Sequence, residues 1–142
     1  MYVREMVVTH PNLGKAVNTS LIYCIEQCHS CAQACTACAD ACLGEEDVKD
    51  LVDCIRLNLD CADLCYATGR IATRRAGHAD GAIAEALKAC GAACAQCAER
   101  CEQHSDRMEH CAVCAAQCAA CEEACLEALE DMRAQARPAR AH

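Results

Sequence analysis

The sequence contains no phenylalanine and no tryptophan, and its 142 residues include only three tyrosines and two prolines. An aromatic core is therefore excluded. Leu, Ile and Val together supply only 22 residues, so a conventional aliphatic core is thin as well. No apolar run approaches the roughly 20 residues that a membrane-spanning helix requires. The N-terminal stretch Met1–His10 is too short and too charged to read as a secretory signal, and a cytoplasmic location is expected. The net charge of −8 argues against nucleic acid as a partner, because a phosphate backbone attracts basic surfaces. No glycine-rich loop cradles phosphate and no Ser/His/Asp or Cys/His arrangement suggests turnover, so an enzyme is not expected.

What the chain has instead is cysteine, 18 residues of it. A free thiol behaves as a small, readily buried apolar group, which restores the missing core and argues against disorder. In a reducing compartment, dense cysteine points to metal or redox chemistry before structural disulfides.

The spacing is regular. Cys24, Cys28, Cys31, Cys35, Cys38 and Cys42 are separated by alternating steps of four and three. An α-helix turns once per 3.6 residues, so this alternation keeps every sulfur on one face, whereas a strand would scatter them. The pattern returns three times. A second helix, from about Glu46 to Arg75, carries Leu51, Cys54, Asn58, Cys61, Cys65 and Thr68 or Gly69, with Asn58 standing where the rhythm calls for cysteine. A third, from about His78 to His104, carries Ile83, Leu87, Cys90, Cys94, Cys97, Cys101 and His104. The phase slips near Ser105, where Asp106 and Glu109 are spaced as a capping box. A fourth helix then carries Cys111, Cys114, Cys118, Cys121, Cys125, Leu129 (or Ala128) and Met132. The first helix is expected from about Pro11 to Leu43, capped by Thr9 or His10 and stopped by Gly44.

Four long helices joined by short turns, each with one stripe to bury, make an all-α, antiparallel up-down-up-down bundle with a cysteine-lined core. The expected division is residues 1–10 as a tail or short helix, 11–136 as the bundle, and 137–142 as a frayed tail.

Soft thiolates select Cu(I), Zn(II) or iron–sulfur clusters. The loop spacing of ferredoxin-type clusters is absent. Zinc takes four thiolates per ion, and several such sites would bury a large uncompensated negative charge. One Cu⁺ per thiolate leaves the interior neutral. The expected cargo is therefore multiple Cu(I) ions, roughly one per cysteine. Val17, Leu21, Ile83, Leu87, Leu129 and Met132 fall at one end as an apolar plug. Cys38, Cys42, Cys101, His104, Met108 and Cys111 gather at the other, a mouth for a soft cation. His10 is read as a helix start, and His29, His78, His110 and His142 as surface residues. The acidic runs, Glu45–Asp47 among them, are read as solvated faces. The alternatives are a thiol redox protein and a Zn(II)/Cd(II) buffer resembling metallothionein. Against the first, almost every cysteine lies mid-helix, away from the helix starts and basic neighbours that activate thiols.

The repeated C-x-x-C pairs on striped helices, from Pro11 to about Met132, resemble the copper storage protein family of cytosolic type. The resemblance implies a four-helix bundle holding many Cu(I) ions in its core, usually as a homotetramer. It implies His104 and Met108 as ligands near the mouth, and an amide oxygen ligand at Asn58. The partners expected are copper ions exchanged with a copper chaperone, with no membrane role.

Overall fold

The computed structural model describes residues 1–12, 18–74 and 80–136. Its helices are α1 (Val3–Val8), α2 (Thr19–Leu43), α3 (Val52–Thr73), α4 (Asp80–Glu102) and α5 (Glu109–Ala136), with a 3-10 turn at Val48–Leu51 leading into α3. The four long helices follow the four stripes. Helix α2 packs against α3 and α5, and α4 packs against the same two. This leaves α2 facing α4, and α3 facing α5, across the diagonals of a square.

The helix boundaries have local causes. Helix α2 begins at Thr19 because Asn18 caps it, its side-chain oxygen accepting the Leu21 N–H at 3.0 Å. Such a cap contributes about 1 kcal/mol. Neither Thr9 nor His10 caps this helix. Thr9 instead ends α1, and His10 accepts the Asn12 N–H on its ring. The expected start at Pro11 is thus corrected, with residues 13–17 outside the described part. Gly44 ends α2 with a right-handed φ of −84°, so its backbone does not call on glycine's left-handed freedom. The second long helix starts later than Glu46, because residues 48–51 wind as a 3-10 turn that drives Leu51 fully into the core. Its expected end at Arg75 and the third helix's expected start at His78 lie outside the described residues, as do Val17, His142 and the tail. Helix α5 is not opened by a capping box. Met108 stands before it, its carbonyl accepting the N–H groups of Cys111 and Ala112.

The N-terminal segment is helical, and α1 lies on α2 with Val3 and Val7 buried and Tyr2 and Met6 outward. All three tyrosines are exposed. One glycine is required by close approach: a Cβ on Gly69 would lie 3.3 Å from the His29 ring and 3.4 Å from the Cys28 side chain. Its absence lets α2 and α3 close together, with His29 half-buried in their seam. At the plugged end Leu21, Ile83, Leu87 and Leu129 are buried and Met132 packs against them. Burying each such aliphatic side chain contributes about 1.5–3 kcal/mol.

Candidate metal centre

All 18 cysteines are free and buried. They do not line an open channel. Sulfurs of α2 meet sulfurs of α4 directly across the diagonal: Cys28–Cys90 at 3.9 Å, Cys31–Cys94 at 4.0 Å and Cys35–Cys97 at 4.0 Å. The space between the helices is a filled column of sulfur. Further contacts knit its sides, among them Cys24–Cys125 at 3.6 Å, Cys35–Cys118 at 3.4 Å, Cys65–Cys90 at 3.6 Å and Cys61–Cys94 at 3.7 Å. Side chains three and four residues apart stack on one helix face, and the square arrangement turns four such stacks toward a common axis.

Within this column the ligand atoms form groups of four, each group spanning no more than 4.8 Å. From the plugged end they include Cys28/Cys90/Cys121/Cys125, Cys31/Cys65/Cys94/Cys121, Cys31/Cys35/Cys61/Cys118 and Cys35/Cys97/Cys114/Cys118. Consecutive groups share sulfurs: Cys121 joins the first two, Cys31 the next two, and Cys35 with Cys118 the last two. A thiolate can bridge two soft ions, so shared corners suit a chain of linked ions better than isolated tetrahedral ones.

Asn58 sits above these groups and is fully buried. Its amide nitrogen donates to the Cys54 carbonyl at 2.8 Å and lies 3.4 Å from the Cys54 sulfur. Its oxygen accepts from Cys114 at 3.0 Å and Cys97 at 3.3 Å. The backbone bond fixes which way the amide points, with nitrogen toward Cys54 and oxygen toward the thiols of α4 and α5. Cys54 and Cys101 pair beside it at 3.8 Å.

The mouth is built differently. Cys38, Cys42 and Cys111 group with His110. The His110 Nδ1 atom lies 3.5 Å from the Cys38 sulfur and 3.6 Å from that of Cys111, while Nε2 lies 3.0 Å from a Glu45 carboxylate oxygen. His110 is therefore not the free surface residue expected from its place off the stripe, and Glu45 is not simply solvated. His104 stands in the α4–α5 turn, half-buried, with its ring against the Arg107 guanidinium at 3.4 Å. Met108 packs on the rim of the core. Burial, then the neighbouring Cys42 and Cys101 sulfurs, push the Cys111 thiol up to about 12. Burial likewise raises Cys42. Both sulfurs thus hold their protons at neutral pH, and an ion binding them must displace those protons.

Comparison with known proteins accords with this geometry. The profile described as copper storage protein matches residues 17–130. A structure of the copper storage protein Ccsp from Streptomyces lividans, loaded with 10 copper equivalents, is similar at 46% identity with a TM-score of 0.87, covering 90% of this chain and 98% of that one. A second, described as copper loading to a cytosolic copper storage protein from Streptomyces lividans with five coppers, is similar at 49% identity and a TM-score of 0.77, covering 78% of this chain and 92% of that one. A histidine-to-alanine variant of the Streptomyces lividans protein gives 46% identity and a TM-score of 0.81 over 84% of this chain and 99% of that one. A search of curated proteins returns no match. With a profile match across nearly the whole bundle and the same fold at this identity, the chain belongs to the copper storage protein family.

Proposed function

We propose that this protein stores and sequesters many Cu(I) ions on the thiolates of its bundle core, in the cytosol and without catalysis. The observation that carries the reading is the chain of sulfur groups with shared corners. Such sharing allows nearly one Cu⁺ per thiolate, so the buried charge cancels as the store fills. The proposed ligands are Cys24, Cys28, Cys31, Cys35, Cys38, Cys42, Cys54, Cys61, Cys65, Cys90, Cys94, Cys97, Cys101, Cys111, Cys114, Cys118, Cys121 and Cys125, with oxygen from Asn58. At the mouth His110 joins them, and Met108 and His104 serve the approach to it. Residues 11–136 form the proposed copper-binding unit. The apolar side chains left on the outer faces, Tyr23, Leu59, Tyr66, Val113 and Leu126 among them, support assembly into a homotetramer. A copper chaperone is the proposed exchange partner.

Anaerobic titration with Cu(I) against a competing chelator tests the reading. Roughly 15–20 tightly held ions per chain are expected. Saturation at about four to six ions would favour a zinc-type buffer instead. Rapid turnover of a disulfide substrate without copper binding would support a redox enzyme.

A further inference from the structure

We infer that Glu45 is a positioning residue for copper uptake, holding the His110 ring so that a bare nitrogen faces the mouth thiols. The inference rests on the storage reading above for its consequence, although its structural half stands alone.

Helix α2 ends at Leu43, and the Glu45 N–H is tied to the Cys42 carbonyl at 3.2 Å. This fixes Glu45 just beyond the last sulfur of α2. Helix α5 runs antiparallel and begins at Glu109, so His110 lies in its first turn, level with Glu45. The side chains meet at 3.0 Å, with the histidine 25% and the glutamate 40% exposed. The partners are thus half-withdrawn from water, where a fixed hydrogen bond holds better than on an open surface.

An ionised carboxylate can only accept hydrogen bonds. The Glu45 contact therefore places the ring hydrogen on Nε2. In a neutral imidazole the other nitrogen is then a lone pair, and that nitrogen, Nδ1, is the one lying 3.5 Å from Cys38 and 3.6 Å from Cys111. A soft cation arriving at the mouth thus meets two sulfurs and an imidazole nitrogen already turned toward it. Without Glu45 the ring is free to present N–H on the thiol side, and each copper must wait for it to turn. Carboxylate partners of metal-binding histidines commonly act this way, and losing one costs about 10- to 100-fold in affinity or activity.

Glu46 supplies the control. It is exposed and carries the same charge next in the chain, so Glu46→Ala removes charge from the same rim without touching the ring. The test has two readouts on wild type, Glu45→Ala and Glu46→Ala, after circular dichroism shows equal helicity. Long-range ¹H–¹⁵N correlation of ¹⁵N-histidine protein at pH 7.5, without copper, reads the tautomer. Stopped-flow mixing with a Cu(I)–chelator complex reads the first uptake phase.

The expected result is the Nε2–H tautomer of His110 in wild type and Glu46→Ala, and a mixture in Glu45→Ala. First-phase uptake is expected to slow by about 10-fold or more in Glu45→Ala and by less than about twofold in Glu46→Ala. An Nδ1–H ring or an imidazolium in wild type overturns the inference. So does a Glu45→Ala protein that keeps both tautomer and rate, or a Glu46→Ala protein slowed as much as Glu45→Ala. If wild type takes up no copper, the storage reading fails, while the tautomer measurement still decides whether Glu45 positions the ring.

Discussion

The deep column and the mouth hold the same kind of ligand under different rules. In the column, sulfur contacts sulfur on every side, four helices contribute, and neighbouring groups share members. At the mouth, Cys38, Cys42 and Cys111 belong to none of those four groups and are joined by a half-exposed histidine tied to a carboxylate. Asn58, with Cys54 and Cys101, stands between them. The difference separates two tasks. Sharing sulfurs in a dry interior raises the number of ions held per residue, whereas a polar residue reaching toward water governs how readily an ion comes and goes.

The sharpest way to break this comparison is to cut the shared edge. Cys35→Ala with Cys118→Ala removes both sulfurs common to two groups, and copper capacity is expected to fall by about four ions or more. Cys38→Ala with Cys42→Ala removes as many sulfurs from the mouth group, and a loss of about two ions is expected. Equal losses by titration would show that sharing carries no weight.

A smaller effect sharpens the mouth. His110→Ala is expected to slow the first uptake phase by about tenfold, and His104→Ala by less than about twofold, since the His104 ring faces Arg107. If the two variants reverse in stopped-flow uptake, the outer histidine and not the inner one captures copper.

The smallest effect concerns pH. In copper-free protein an unfolded chain ionises its thiols near about pH 8.5, while the folded chain keeps Cys111 protonated up to about 12. Above pH 8.5 the unfolded state binds fewer protons, so stability is whole below that pH and declines as pH rises toward 12. Chemical denaturation at pH 7.5 and pH 10 checks this. Equal stability at both would remove burial as the cause of the raised thiol.

Much of the architecture was legible because cysteine is both the core and the ligand. Steps of three and four identified the buried face of each long helix, and Asn58 falls on it together with both Thr68 and Gly69, which the rhythm had offered as alternatives. The helix starts were less legible. Pro11 is a good first helical residue, yet Asn18 makes the actual cap, and a cap depends on a side chain reaching a particular N–H. His110 escaped for a related reason. Mid-helix, a residue next to Cys111 would point away from the stripe. In the first turn of α5 no preceding turn screens its ring from the bundle axis, so it folds over the column's end. The signal was present in two separate places, a histidine beside the first cysteine of a helix and a glutamate just past the last cysteine of another. Only the antiparallel packing of α2 and α5 brings them level.

The shared corners have one more consequence. Between the plugged end and Asn58 the groups are joined by Cys121, then Cys31, then Cys35 with Cys118, and Leu21, Ile83, Leu87 and Leu129 close the far end. With one end closed, ions that arrive first fill the deep groups and later ones lie between them and the mouth. The store is then expected to work as a stack, last in and first out. Protein loaded first with ⁶⁵Cu and then with ⁶³Cu should release ⁶³Cu before ⁶⁵Cu to a chelator, so that the oldest copper in the cell lies deepest.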